Sequence, residues 1–218
     1  MFFRKPKLHI SALQYEPNSW LMDTSNDLER RWQCRDYRAI LQLNYIPTKP
    51  DLPKGGMNNL ILLQNFFRTA ALKSNGGILL TEIVEIDNIR GIKNILKAPQ
   101  ALGMRYMGAY LFPFKNCSFG VKFITEEFEQ IGLRESLIAA EFFDGMDIPV
   151  NQTEKLEEGW YKDPYQSTFK KGTPMSIAER AEYDTRFPEH PLTKLRTWME
   201  ELEQNLTFDE KVHKLKPF

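Results

Sequence analysis

Between Gly77 and Thr125 four apolar runs follow one another, joined by short links. Ile78 to Ile86 is β-branched and stops at Asp87-Asn88. Ile89 to Leu96 ends before Pro99. Met104 to Phe114 puts Met104, Tyr106, Tyr110, Phe112 and Phe114 on one face, with Gly108 among them. Phe119 to Thr125 alternates through Phe119, Val121 and Phe123. Parallel neighbours need a crossover of a dozen or more residues, and these links are shorter. The four runs are therefore expected to form an antiparallel meander. A glycine inside an aromatic strand marks a bulge or a close approach of another element, which is the expectation for Gly108.

Tyr37 to Ile46 adds a further strand. Tyr37, Ala39, Leu41, Leu43 and Tyr45 alternate with Arg38, Gln42 and Asn44, so one face is buried and the other is wetter. Leu8 to Tyr15 reads as a first strand. Asp23 to Glu29 is polar and reads as a loop. Asn58 is positioned to cap a helix running to about Lys73, with Leu60, Leu63, Phe67 and Ala70 as its stripe. Leu133 to Phe143 has helical spacing, with Leu133, Leu137, Ala140 and either Ile138 or Phe142 inward. His190-Pro191 opens a last helix whose stripe is Leu192, Leu195, Trp198 or Met199, Leu202 and Leu206. The expected fold is α+β: an antiparallel sheet packed between helices, with a C-terminal arm and helix. Residues 1–145 form the sheet domain, 146–189 an irregular arm rich in aromatics, and 190–218 a helix packing on the body.

Charge and cysteine content narrow the function classes. Lys plus Arg equals Asp plus Glu at 29 each, whereas a protein devoted to nucleic acid shows a basic excess. The N-terminal basic residues lack an apolar stretch behind them, and no apolar run approaches a bilayer span. The expectations are a cytoplasmic chain with no membrane and no nucleic-acid partner. Zero net charge leaves homo-oligomers open. Two cysteines, Cys34 and Cys117, are too few for a disulfide framework and are expected to be reduced and unligated.

No P-loop, dinucleotide fingerprint, His-Glu-x-x-His, Cys-x-x-Cys or Gly-x-Ser-x-Gly occurs. His9, His190 and His213 have no sequence neighbour that makes a catalytic or metal pair. The expectation is no catalytic residue, no metal and no cofactor. The most conspicuous surface candidates are Trp160, Tyr161, Tyr165 and Phe169 in the arm, with Trp198 on the last helix. Acidic Glu157, Glu158 and Asp163 among them oppose phosphate, so a protein interface is the expected role.

The order of strands, helix, four-strand meander and closing helix, with Trp20 early in the chain, resembles the Mog1/PsbP-like superfamily. The resemblance spans roughly Leu8 to Phe143. It implies an antiparallel sheet between helices and action by binding proteins, as in nuclear-transport cofactors, photosystem extrinsic subunits and chaperones of secreted bacterial toxins. The arm and helix beyond Gly145 have no counterpart in that pattern. Function is therefore expected to be that of a non-catalytic protein-binding module: an adaptor, a chaperone or an immunity-type protein. The alternative is an enzyme acting on a small molecule at a site dispersed over the sheet face, drawing on Arg38, Arg90, Tyr106 and Glu126.

Overall fold

The computed structural model describes residues 8–144 and 159–218. Strands β2 (Leu21–Ser25), β3 (Glu29–Cys34), β4 (Ala39–Ile46), β5 (Gly77–Ile86), β6 (Ile89–Pro99), β7 (Met104–Pro113) and β8 (Ser118–Glu126) form one sheet in the order β2-β3-β4-β8-β7-β6-β5. Every pairing is antiparallel. The meander is β5 to β8, as its short links require. Two short strands, β1 (Leu13–Gln14) and β9 (Thr207–Phe208), pair separately and tie the two ends of the described chain together.

The register divides the side chains into two faces. On the first, Leu41 stands opposite Phe123, Leu43 opposite Val121, and Phe112 opposite Phe119. All six are buried. Helix α3 (Pro191–Asn205) lies across this face through Leu192, Leu195, Met199 and Leu202, which are fully buried. It crosses at Gly108, where a Cβ would stand 2.3 Å from the Met199 sulfur and 3.1 Å from Leu195 Cδ1. The glycine is there because a helix comes too close for any side chain. Trp198 sits at the rim, edge-on to Trp20 at 4.9 Å and to Tyr37 at 5.7 Å.

Helix α1 (Leu60–Leu72) packs on the second face over β5 and β6, with Leu63 against Ile92 and Ala71 against Ile78 and Leu96. Its cap is Asn59, whose side chain accepts from the Leu62 amide at 3.1 Å, rather than Asn58. Helix α2 (Leu133–Phe143) buries Arg134 and Ile138. A one-turn helix, α4 (Glu210–His213), closes the chain on the first face through Val212.

Several expectations need correcting. Leu8 to Tyr15 is a 3-10 turn at Ile10–Ala12 followed by the two residues of β1. Ile10, Ala12, Leu13 and Tyr15 are all buried, a spacing that does not alternate as a half-buried strand must. The expected loop at 23–29 is mostly hairpin. Its turn is made by Asn26, whose side-chain oxygen accepts from the Leu28 and Glu29 amides. Strand β3 is charged because only Trp32 is fully buried there. On α2, Leu133, Leu137 and Ala140 are exposed, because the helix is rolled to bury the Arg134 guanidinium. On α1, Leu60 and Ala70 are likewise exposed and Arg68 is buried. Tyr37 lies just before β4 and is half-buried, while Leu41 and Leu43 face the core. The close of α2 at Gly145 and the first part of the arm, residues 145–158, lie outside the described residues.

Candidate functional site

Over the middle of β7, β8, β4 and β3 the second face carries half-exposed side chains. The register sets them in rows. Gln33, Ile40, Ile124 and Met107 form one row, in cross-strand contact from β3 to β7. The next is Arg31, Gln42, Lys122 and Ala109, and the third is Glu29, Asn44, Gly120 and Leu111. A shallow depression of about 620 Å³ opens over the last two rows, lined in part by Gln42, Asn44, Leu111 and Lys122. Beyond the apolar row, at the strand ends, a second depression of about 400 Å³ is lined by Arg38, Leu102, Glu126, Glu127, Phe128 and Ile131, among others. Leu102, at the tip of the β6–β7 turn, is 72% exposed. Arg38 lies over the Phe128 ring at 4.9 Å, and Arg105 pairs with Glu126 at 3.2 Å. Lys122 has no ion-pair partner among the described residues.

The carboxylate at the floor of that second depression leads inward to a polar cluster. Glu127 accepts from the Met104 amide at 2.8 Å and meets His190 Nε2 at 3.2 Å. His190 caps α3: its Nδ1 accepts from the Leu192 amide at 3.2 Å, so in the neutral ring the proton sits on Nε2 and is donated to Glu127. Glu135, in the first turn of α2, completes a set whose ligand atoms all lie within 4.8 Å of one another. Desolvation by burial opposes ionisation of Glu127, but the His190 and backbone donors prevail and its pKa falls below the usual carboxylate value. Burial, and then the Glu127 charge, push Glu135 up. The Tyr106 hydroxyl, fully buried, has no hydrogen-bond partner, and neither does Glu135 Oε2. Burial and the charges of Glu179, Glu135 and Glu127 drive the Tyr106 pKa far up.

The five aromatics singled out in the sequence do not form one surface, although Trp160 and Tyr161 stand edge-on at 6.4 Å. Trp160 is buried between Phe142 and Phe143. The Tyr165 hydroxyl accepts from the Thr81 amide and donates to the Thr81 carbonyl, capping the edge strand β5. Phe169 lies under the Arg68 guanidinium at 5.1 Å. Tyr161 and Phe169 share a groove of about 990 Å³ with Lys162. Trp198 is on the first sheet face, against Trp20 and Tyr37. Of the four residues of the alternative enzyme site, Arg38 and Glu126 meet at the second depression. Tyr106 belongs to the covered face, and Arg90 reaches the Met57 carbonyl at the far end of β6. Cys34 and Cys117 are free thiols, and burial raises both. No described helix is long and apolar enough to cross a membrane. Sequence reasoning missed the polar cluster because its members come from the end of β8, from α2 and from the cap of α3. The only signal was His190 at a cap position.

No family model matches the chain, and no curated protein is similar to it. A solved structure of a protein from Bacteroides thetaiotaomicron matches at 8% identity over 55% of this chain and 40% of that one, with a TM-score of 0.36. The chain thus spans less than half the length of that protein.

Proposed function

We propose that this chain is a non-catalytic protein-binding module whose partner lies on the open part of the second sheet face. The observation that carries the reading is the row Ile40–Ile124–Met107, half-exposed on one face of a sheet whose other face is covered by α3. Apolar side chains left contiguous on a surface mark interaction sites. The chemistry of the partner follows from the rows: apolar side chains over Ile40, Ile124 and Met107, and a carboxylate set to meet Lys122. The likeness to the Mog1/PsbP-like superfamily, whose members act by binding proteins, belongs to the same proposal.

The test compares affinity captures from the native host by wild type, Ile124→Glu and Lys122→Glu, with cross-links mapped by mass spectrometry. Both positions are half-exposed, so the melting curves should stay close to wild type. The proposal expects a partner captured by wild type, cross-linked at Lys122, and reduced at least tenfold in both variants. A partner that cross-links only through the arm, at Lys162, and binds both variants as wild type would overturn it.

A further inference from the structure

We propose that Glu127, Glu135 and His190 bind a divalent transition-metal ion of the zinc class. The three offer two carboxylate oxygens and an imidazole nitrogen, a donor set suited to zinc and its neighbours. Ligands bound at about 2.1 Å on one ion lie no more than about 4.2 Å apart, so a set within 4.8 Å must close by under an ångström. The carboxylate and imidazole rotamers supply that movement.

Two further observations point to a ligand here. The Tyr106 hydroxyl and Glu135 Oε2 are buried without a partner, and buried polar atoms are ordinarily satisfied. The charge is also unbalanced. Among the described residues His190 is the only ionisable donor in contact with either carboxylate. Lys97 is held by Glu179 at 2.6 Å, and Arg134 by Asp184 and the carbonyls of Ala178 and Arg180. A dication among two carboxylates and a neutral ring restores the balance, and the Tyr106 ring stands edge-on to His190 at 5.8 Å. The depression that reaches Glu127 provides the entry path.

The cap makes the site distinctive. In the metal-free protein His190 Nδ1 accepts from Leu192 N–H. Coordination through Nε2 displaces the proton there and leaves the ring proton on Nδ1, so the cap bond ends. Metal binding and the Leu192 cap therefore exclude each other. That gives a readout which adventitious binding at His9–Asp27 or His213–Asp87, the two surface histidine–carboxylate pairs, would not move.

Protein stripped by chelator dialysis is titrated with Zn(II) by calorimetry and with Co(II) by absorption. One equivalent should bind, the melting temperature should rise, and amide exchange at Leu192 should speed up. Glu135→Gln should weaken affinity at least tenfold and abolish the thermal shift, while a double His9→Ala, His213→Ala variant should bind as wild type. Glu135→Gln keeps the shape of a carboxylate that has one oxygen buried and unpaired, so its fold is expected to survive and the test does not depend on His190→Ala folding. The proposal is overturned by the absence of saturable binding, by binding that Glu135→Gln leaves intact, or by loss of binding in the double surface variant.

Discussion

The covered sheet face and the seam that holds residues 159–189 are both buried, but by opposite chemistry. Under α3 the interior is Leu41, Leu43, Phe112, Phe119, Val121 and Phe123 against Leu195, Met199 and Leu202. At the seam the body offers buried cations and the arm answers with carboxylates and carbonyls. Arg68 binds Asp163 through two bonds of 2.8 Å. Lys97 binds Glu179, and Arg134 and Arg196 converge on Asp184. Hydrophobic burial is non-directional and tolerates repacking. Buried ion pairs add little net stability, yet losing one partner strands the other in a medium that cannot solvate it. The covered face thus supplies the driving force, while the seam fixes one position for a segment whose regular structure, from Tyr161 on, is two short 3-10 helices, Ile177–Glu179 and Ala181–Arg186.

The largest effect should come from breaking the seam. Arg134 is fully buried and bonds Asp184, Thr193 and two carbonyls. Arg134→Ala should cost about 3–5 kcal/mol in urea melts, the range for removing one side of a buried pair. Proteolysis should show the arm released before the sheet opens. If the arm instead stayed protected to the same denaturant concentration as the sheet, the seam would be one cooperative unit with the core.

On the covered face, Leu195→Ala should cost about 2–5 kcal/mol, with its value set by how far the site collapses. Gly108→Ala overpacks the same crossing and should cost about 1–3 kcal/mol. Because its Cβ would meet Met199 and Leu195, Gly108→Ala combined with Met199→Ala should lose less than the sum of the two single changes. Strict additivity would mean that α3 shifts as a body rather than repacking locally.

The two regions differed as much in legibility. The meander, β4 and the α3 stripe were readable because burial there follows period two or 3.6 through apolar residues. Gly108 was readable as a bulge or a close approach, and the helix crossing makes it the second. The rolls of α1 and α2 were not. A helix reading puts Arg68 and Arg134 in water and Leu60 or Leu133 inside, whereas the seam reverses both, since its partners Asp163 and Asp184 lie 95 and 50 residues away. Strand β3 was hidden for a related reason: Glu29 and Arg31 stand in the half-exposed rows and Arg30 stands opposite Leu43 on the other face, so it lacks the apolar alternation that marks a strand. The rows of the open face became visible only with the register, because Ile40, Met107 and Ile124 are scattered in sequence.

The smallest effect isolates the place where core and seam meet. Glu127 and Glu135 cluster with His190, and their environments move them in opposite directions. For Glu127, whose folded pKa is lowered, the stability contributed is present above the unfolded pKa, about 4.3 for a glutamate, and is lost as pH falls through the folded value. For Glu135 the folded pKa is raised, by burial first and Glu127 second. Its contribution is present below the unfolded pKa and is lost as pH rises through the folded one, since the folded state must then hold a carboxylate with one oxygen buried and unpaired. Glu135→Gln keeps the shape and removes that charge. In metal-free buffer the variant should match wild type near pH 4 and exceed it by about 1 kcal/mol or less near pH 7, within the span of ordinary single substitutions. Denaturant melts of both proteins at the two pH values measure the difference. A variant less stable than wild type at pH 7 would mean that the Glu135 carboxylate has a partner that stabilises its charge, and that the seam is electrostatically complete without an ion.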